Sequence, residues 1–127
     1  MSEQTKHTPL SLLTPYSADI SVRFKVVDLL VQVKLPAHTP KQHRVAEFLV
    51  GDESGIAIVQ AKDDQIDRLV VGETFVMSHA RAKMYDGYLR LVSDPFQVES
   101  IALETPLEIQ TQTDASSVLW EYGTPIQ

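Results

Sequence analysis

No cysteine occurs among the 127 residues of this chain, which excludes disulfide bonds, thiolate nucleophiles and cysteine-based zinc sites. Long apolar runs are also missing, since none approaches the ~18–20 residues that a membrane span needs. The N-terminus has neither a charged region followed by an apolar stretch nor the arginine-rich composition of a transit peptide. We therefore expect an intracellular protein, nuclear or cytoplasmic, with no membrane contact.

Basic residues are few, with eleven against seventeen acidic ones, a net charge of −6 and a pI near 5.1. This balance counts against tight non-specific binding to nucleic acid. The basic residues are nevertheless concentrated in two windows without acids, one between Asp28 and Glu47 and one from Phe75 to Tyr85. These windows indicate either a cationic binding surface or a chance segregation of charge on solvated faces.

No catalytic pattern is present. The turn 51–55 (GDESG) is not a nucleophile elbow, because its serine stands three residues after the first glycine instead of two. Asp63 and Asp64 are typical of a helix start, and His38 and His43 lack the further ligands of a zinc set. There is also no phosphate-binding loop or dinucleotide fingerprint. The sequence predicts a protein that is not an enzyme and holds no metal or cofactor.

Two β-hairpins are predicted. The stretch Ala46–Val59 consists of two apolar, β-branched runs around a turn, in which the glycines can take positive φ and Asp52 and Ser54 can bond neighbouring backbone. The second hairpin, 74–92, turns at Asp86-Gly87, a strong hairpin signal, with Leu89 and Leu91 expected to face inward.

The elements around the hairpins complete the pattern. Ile20–Leu35 alternates like a strand and then changes phase, which favours a bent strand with a bulge near Asp28 over a helix. A proline-bracketed loop, Pro36–His43, follows. A short capped helix is predicted between Lys62 and Gly72, and a further short strand at Phe96–Ile101.

This order predicts an all-β protein, a five-stranded OB-fold barrel with a short helix between the third and fourth strands. A small SH3-like barrel would lack the helix, and a sandwich would need more strands. We divide the chain into a flexible N-terminal segment, 1–18, an OB-fold domain, 19–112, and a C-terminal tail, 113–127. The apolar group Val118–Tyr122 predicts that a strand of the tail docks on the barrel.

Single strands bind OB barrels through aromatic side chains that stack on bases and cations that contact phosphates. Candidates of both kinds project from the predicted strands and loops. They are Tyr85, Tyr88, Lys34, Lys41, His43, Arg44, Lys62, Arg81, Lys83 and Arg90. Core packing or solvated strand charge is the alternative role for each of them. For the loop Leu35–Arg44 we predict mobility in the free protein and ordering on binding.

The segments RVAEFLVGDESGIAIVQAKDDQID and AKMYDGYLRLVSD resemble the SOSS-B type of single-stranded DNA-binding proteins, especially plant-like members with one OB fold. The ending SSVLWEY is similar to theirs as well. The resemblance implies that Tyr85 stacks on a base. Where animal SOSS-B proteins carry stacking aromatics on the third and fourth strands, this chain has Ala61 or Lys62, and Arg81.

The sequence thus favours a non-catalytic OB-fold module that binds single-stranded DNA or RNA, with DNA favoured. A role in DNA repair or genome maintenance is implied by the resemblance. The alternative is a protein-interaction OB subunit that joins a larger complex or self-associates through the C-terminal segment.

Overall fold

A closed five-stranded barrel forms the body of the protein in the computed structural model, which describes residues 7–35, 43–102, 108–121 and 124–125. The strands are β1 (Ile20–Leu35), β2 (His43–Gly51), β3 (Ile56–Lys62), β4 (Thr74–Tyr85) and β5 (Tyr88–Ile101). Their order around the barrel is β1-β2-β3-β5-β4, which is that of an OB fold. The predicted all-β, five-stranded OB-fold barrel is confirmed. In the part of the chain that is described, no helix is long and apolar enough to cross a membrane.

Alternation along the strands sends every second side chain into the barrel. Ala57, Val59 and Ala61 of β3 are buried while their neighbours are not. Leu89 and Leu91 are fully buried, as predicted from the period-two pattern. Burial of this apolar set supplies the main driving force for closing the barrel.

The first strand is long and bent. Register shifts interrupt its pairing with β2 between Val26 and Asp28 and between Leu29 and Val31, which confirms the predicted bulge. Pairing with β4 stops at Lys25, so residues 27–35 of β1 continue with β2 alone as a β1–β2 arm. Residues 36–42 of the predicted loop, including Lys41, lie outside the described residues, and its last position, His43, opens β2 instead.

The β2–β3 turn is held by Asp52. Its Oδ1 accepts hydrogen bonds from the backbone N–H groups of Ser54 and Gly55 at 2.8 and 3.0 Å. The expectation of positive φ at Gly51 and Gly55 is wrong, because neither takes it. A Cβ at Gly55 would instead lie 2.6 Å from the carbonyl oxygen of Thr113, so this glycine makes room for the C-terminal segment.

The β4–β5 hairpin turns at Asp86-Gly87, with φ of 50° and 88°, as predicted. The predicted separate strand at Phe96–Ile101 is wrong, since β5 runs unbroken from Tyr88 to Ile101. The pairing with β4 changes register between Ser78 and Ala80, where His79, with φ of 54°, stands opposite three residues of β5, 94–96.

The predicted helix is shorter than expected. It is a 3-10 helix of six residues, Asp63–Arg68, and it ends well before Gly72. Gly72 takes φ of 95° in a separate turn, and its N–H donates to the carbonyl of Val26 at 2.8 Å. The glycine therefore turns the chain into β4 and does not cap the helix.

Part of the predicted N-terminal segment, 1–18, packs against the barrel. Leu10, the first residue of a 3-10 helix (Leu10–Leu12), and Leu13, the residue after that helix, are buried in the core. The N–H of Leu10 also donates to Asp52 Oδ2 at 3.0 Å. These two side chains join the core of the barrel, and residues 1–6 of the segment predicted to be flexible lie outside the described residues.

The C-terminal segment docks along the gap between the first halves of β3 and β5. Its backbone bonds Ile56 through Thr113 and Ala115, at 2.8 and 2.9 Å, and then reverses. Leu119 forms a bridge with Tyr88, and Trp120 N–H donates to Gly87 O at 2.8 Å. Trp120 starts a two-stranded sheet of β6 (Trp120–Glu121) and β7 (Thr124–Pro125).

Candidate nucleic-acid interface

The outer face of β2, β3, β5 and β4 carries most of the predicted site residues. Because the strands alternate, Lys62 on β3, Arg81 and Lys83 on β4 and Tyr85 at the end of β4 all point outward while their neighbours face the core. In an OB fold the face of strands 2 and 3, together with the loops between strands 1 and 2 and between strands 4 and 5, is where oligonucleotides bind. The fold thus brings residues of two distant segments to one surface.

A concave depression of about 200 Å³ lies at the centre of this face. We call it the β3–β4 pocket. Its lining combines three cations and one aromatic ring with amide, hydroxyl and apolar side chains, and no carboxylate is among the described residues that form it. They are Val45, Gln60, Ala61, Lys62, Gln65, Arg81, Lys83, Tyr85, Val92 and Ser93.

Tyr85 stands at the rim of the pocket with 47% of its surface exposed. Lys83 Nζ lies 5.3 Å from the centre of its ring and 3.4 Å from Gln60 Oε1. A cation at this distance interacts favourably with the ring, which restricts its orientation. An exposed ring beside cations has the chemistry of a base-stacking platform.

Tyr88 sits directly across the turn from Tyr85 and is also partly exposed, at 38%. Its backbone, however, forms a bridge with Leu119 of the C-terminal segment. The hairpin therefore presents one ring to the pocket and has the other next to the docked segment.

Two of the predicted phosphate contacts are occupied by carboxylates. Arg44 donates from Nη2 to Asp67 at 3.1 Å and to the carbonyl of Asp63 at 3.1 Å. The hydrogen bond to Asp67 and its negative charge raise the pKa of the Arg44 guanidinium. Although Arg44 lies in the sequence window without acids between Asp28 and Glu47, the 3-10 helix brings Asp67 to it from 23 residues further along the chain.

Arg90 is the second paired cation. Its Nε donates to Glu47 Oε2 at 2.9 Å, and both side chains are mostly buried, at 18% and 23% exposure. Its Nη1 also lies 3.5 Å from the carbonyl of Ser116, in the turn of the C-terminal segment. Arg90 therefore ties the docked segment to β2.

The remaining candidates lie away from the pocket or are not fully described by the structure. Lys34 is exposed on the β1–β2 arm, opposite Arg44. His43 opens β2, and only its backbone position is described. Lys41 is outside the described residues. The structure thus gathers four predicted residues in the pocket, namely Lys62, Arg81, Lys83 and Tyr85.

Two glutamines of the pocket were not anticipated. Gln60 is two residues before Lys62 on β3, so strand alternation alone places both on the same face. Gln65 is brought there by the 3-10 helix, where its side chain accepts from the N–H of Lys62 at 3.1 Å. Within the described ranges no group of three or more histidine, aspartate or glutamate residues could hold a metal ion.

Fold and outer face together define a small OB-fold binding module. The family described as single-stranded DNA binding protein Ssb-like, OB fold, matches residues 13–99. The chain belongs to this family of non-catalytic single-stranded DNA-binding modules.

Three known proteins are similar to this chain in sequence or in fold. An uncharacterized protein of Arabidopsis thaliana is 30% identical over 91 residues, which cover 65% of this chain and 60% of that protein. The solution structure of a hypothetical protein from Arabidopsis thaliana superposes with a TM-score of 0.76 at 22% identity, covering 97% of this chain and 91% of that chain. A replication protein A heterotrimer bound to single-stranded DNA gives 0.65 at 15% identity, covering 82% and 27%. At these identities the two structures establish the fold.

Proposed function

We propose that this chain binds single-stranded nucleic acid across the β3–β4 pocket, with DNA preferred over RNA, as a SOSS-B-like module of DNA repair or genome maintenance in the nucleus or cytoplasm. The observation that carries the proposal is the clustering of Lys62, Arg81 and Lys83 with the exposed ring of Tyr85. Family membership supports it, since the matched family binds single-stranded DNA.

Charge explains why an acidic protein can bind a polyanion here. None of the three cations has a carboxylate partner among the described residues, whereas Arg44 and Arg90 do. Phosphates entering the pocket meet uncompensated positive charge, and the counterions that they release make the affinity dependent on salt. Tyr85 adds a stacking surface that accepts any base.

The test is a titration by fluorescence anisotropy with oligo-dT, oligo-rU and a duplex of the same length at two salt concentrations. We expect saturable binding of oligo-dT that weakens as salt rises, weaker binding of oligo-rU and the weakest binding of the duplex. Absence of salt-dependent binding of any single strand at low ionic strength would refute the function.

Self-association is a second candidate, favoured by the β1–β2 arm. Five large apolar side chains of β1 are between 38% and 46% exposed there, and none of the described residues pairs with the outer edge of β1 beyond Val26. The side chains are Val27, Leu29, Leu30, Val31 and Val33. Asp28 and Lys34 stand at opposite ends, so antiparallel pairing with a second copy would set opposite charges side by side.

The C-terminal segment, which the sequence suggested as the contact for a partner, is bonded to the chain's own β3 and β5. Light scattering at increasing protein concentration distinguishes the candidates. A dimer that Leu30→Lys disrupts supports self-association, and a monomer at every concentration refutes it.

A further inference from the structure

Two glutamine side chains of the β3–β4 pocket have their carbonyl oxygens occupied from within the protein. Gln65 Oε1 accepts from the backbone N–H of Lys62 at 3.1 Å, and Gln60 Oε1 lies 3.4 Å from Lys83 Nζ. A backbone N–H and an ammonium group can only donate, so each amide is oriented with its oxygen toward that partner. Each NH₂ group is thereby left without an acceptor among the described residues.

The rest of the pocket shares this character. Lys62, Arg81 and Lys83 carry donors only. The hydroxyl of Ser93 is engaged internally, because it donates to the carbonyl of Ser78 at 2.7 Å and accepts from the N–H of Gln97 at 3.1 Å. Apart from the hydroxyl of Tyr85, each acceptor oxygen of the described side chains that line the pocket is engaged by a donor of the protein, so the groups left without a partner are donors.

A wall of donors distinguishes bases by their exocyclic groups. Thymine and uracil present a carbonyl oxygen at position 4, whereas cytosine presents an amino group there and adenine an amino group at position 6. A carbonyl satisfies a donor of the wall, while an amino group leaves two donors facing each other and unpaired.

We propose that the amides of Gln60 and Gln65 make the β3–β4 pocket selective for pyrimidines with a carbonyl at position 4, that is thymine and uracil, over cytosine. The proposal rests on the single-strand binding proposed above and adds base selection at the same site. It differs from the general preference of such proteins for flexible pyrimidine strands, which follows from stacking and backbone flexibility and is similar for uracil and cytosine.

Oligo-dU and oligo-dC of equal length are the direct test, because both are pyrimidine deoxyribose strands that share a backbone. We expect dU to bind about 3–10-fold more tightly than dC, roughly the net worth of one hydrogen bond at a site that water can reach. Equal affinity for the two strands would overturn the proposal.

Gln65→Glu tests the assigned residue. The glutamate keeps one oxygen for the N–H of Lys62 and replaces the outward NH₂ by an oxygen that accepts from the cytosine amino group. We expect the dU preference to disappear or reverse, and Gln60→Glu to act in the same direction. The matched control is Gln97→Glu, which adds the same charge at an exposed position of β5 outside the pocket and should leave the ratio unchanged.

The outcomes separate this inference from the function on which it rests. Tight binding of both strands without preference, or a preference that Gln65→Glu does not alter in a folded protein, overturns base selection and leaves single-strand binding intact. Failure to bind any single strand at low salt overturns both. Circular dichroism of each variant establishes that it is folded.

Discussion

Paired and unpaired cations share the outer face of this barrel, and they differ in what they are available to bind. Arg44 and Arg90 are held by Asp67 and Glu47 at 3.1 and 2.9 Å. Lys62, Arg81 and Lys83 have no carboxylate partner in the described ranges. The availability of a cation therefore depends on what the fold brings beside it and not on its neighbours in sequence.

The same division runs through the whole face. On the side of Arg90, the C-terminal segment is fastened by Ser116, whose hydroxyl accepts from the N–H of Ile58 at 2.8 Å. On the side of Arg81 the pocket is open to solvent. We expect changes on the first side to alter stability and changes on the second to alter binding.

The largest effect is expected from Arg81→Ala combined with Lys83→Ala. Loss of two phosphate contacts should lower the slope of log affinity against log salt by about one to two units. If the variant and the parent bind equally at about 1 M salt, the variant should bind roughly 20–400-fold more weakly than the parent at about 50 mM. Anisotropy at several salt concentrations measures it. Arg44→Ala, which removes a paired cation from the same face, is the control and should leave the slope nearly unchanged; an equal reduction in both variants would contradict the comparison.

Tyr85→Ala should come next. Loss of one stacked base costs about 1–3 kcal/mol of binding free energy, a factor of roughly 5–150, with little change in stability because the ring is half exposed. The salt slope should stay as in the parent, since stacking involves no phosphate. Unaltered affinity of this variant would exclude Tyr85 from the interface.

Much of this arrangement follows from the sequence because strand alternation is a local property. The inward course of Leu89 and Leu91, the turn at Asp86-Gly87 and the bulge near Asp28 were all predictable from neighbouring residues. The pairing of Arg44 was not, since Asp67 reaches it only when the 3-10 helix packs beside the start of β2. A stretch of sequence without acidic residues can therefore have acidic side chains beside it in the folded protein.

The roles of the hairpin glycines escaped prediction for the same reason. The neighbouring residues of Gly55 indicate a turn glycine with positive φ. A glycine is needed there instead because the backbone of Thr113, 58 positions later, leaves no room for a Cβ. Gln60 and Gln65 were within reach of the sequence. Their positions beside Lys62 follow from strand alternation and from the helix start. They were not predicted as binding residues because their side chains are neither charged nor aromatic.

Gly87→Ala tests how much the docked C-terminal segment contributes to stability, and Gly72→Ala is its control. Both glycines have positive φ, so both substitutions incur the strain of a left-handed residue, about 1–2 kcal/mol. Only at Gly87 would the new Cβ also lie 2.5 Å from Leu119 Cδ1, whereas nothing lies within 4 Å at Gly72. We expect Gly87→Ala to destabilise by about 1 kcal/mol more in urea unfolding. A red shift of Trp120 emission should accompany the destabilisation as the C-terminal segment loosens. Equal losses in the free energy of unfolding for the two variants would contradict a stabilising role of the segment.

Arg90→Met should give the smallest effect and is the sharpest contrast to the pocket variants. The methionine keeps the apolar stem but removes the bonds to Glu47 and to the carbonyl of Ser116. Because Glu47 is 23% exposed and can regain water, the expected loss is about 1 kcal/mol in the free energy of unfolding. The salt slope of oligonucleotide binding should change far less than in the Arg81 and Lys83 variant, since the charge of Arg90 is already balanced. A slope reduced by a full unit would mean that a phosphate displaces Glu47 on binding, and the division between paired and unpaired cations would then describe only the free protein.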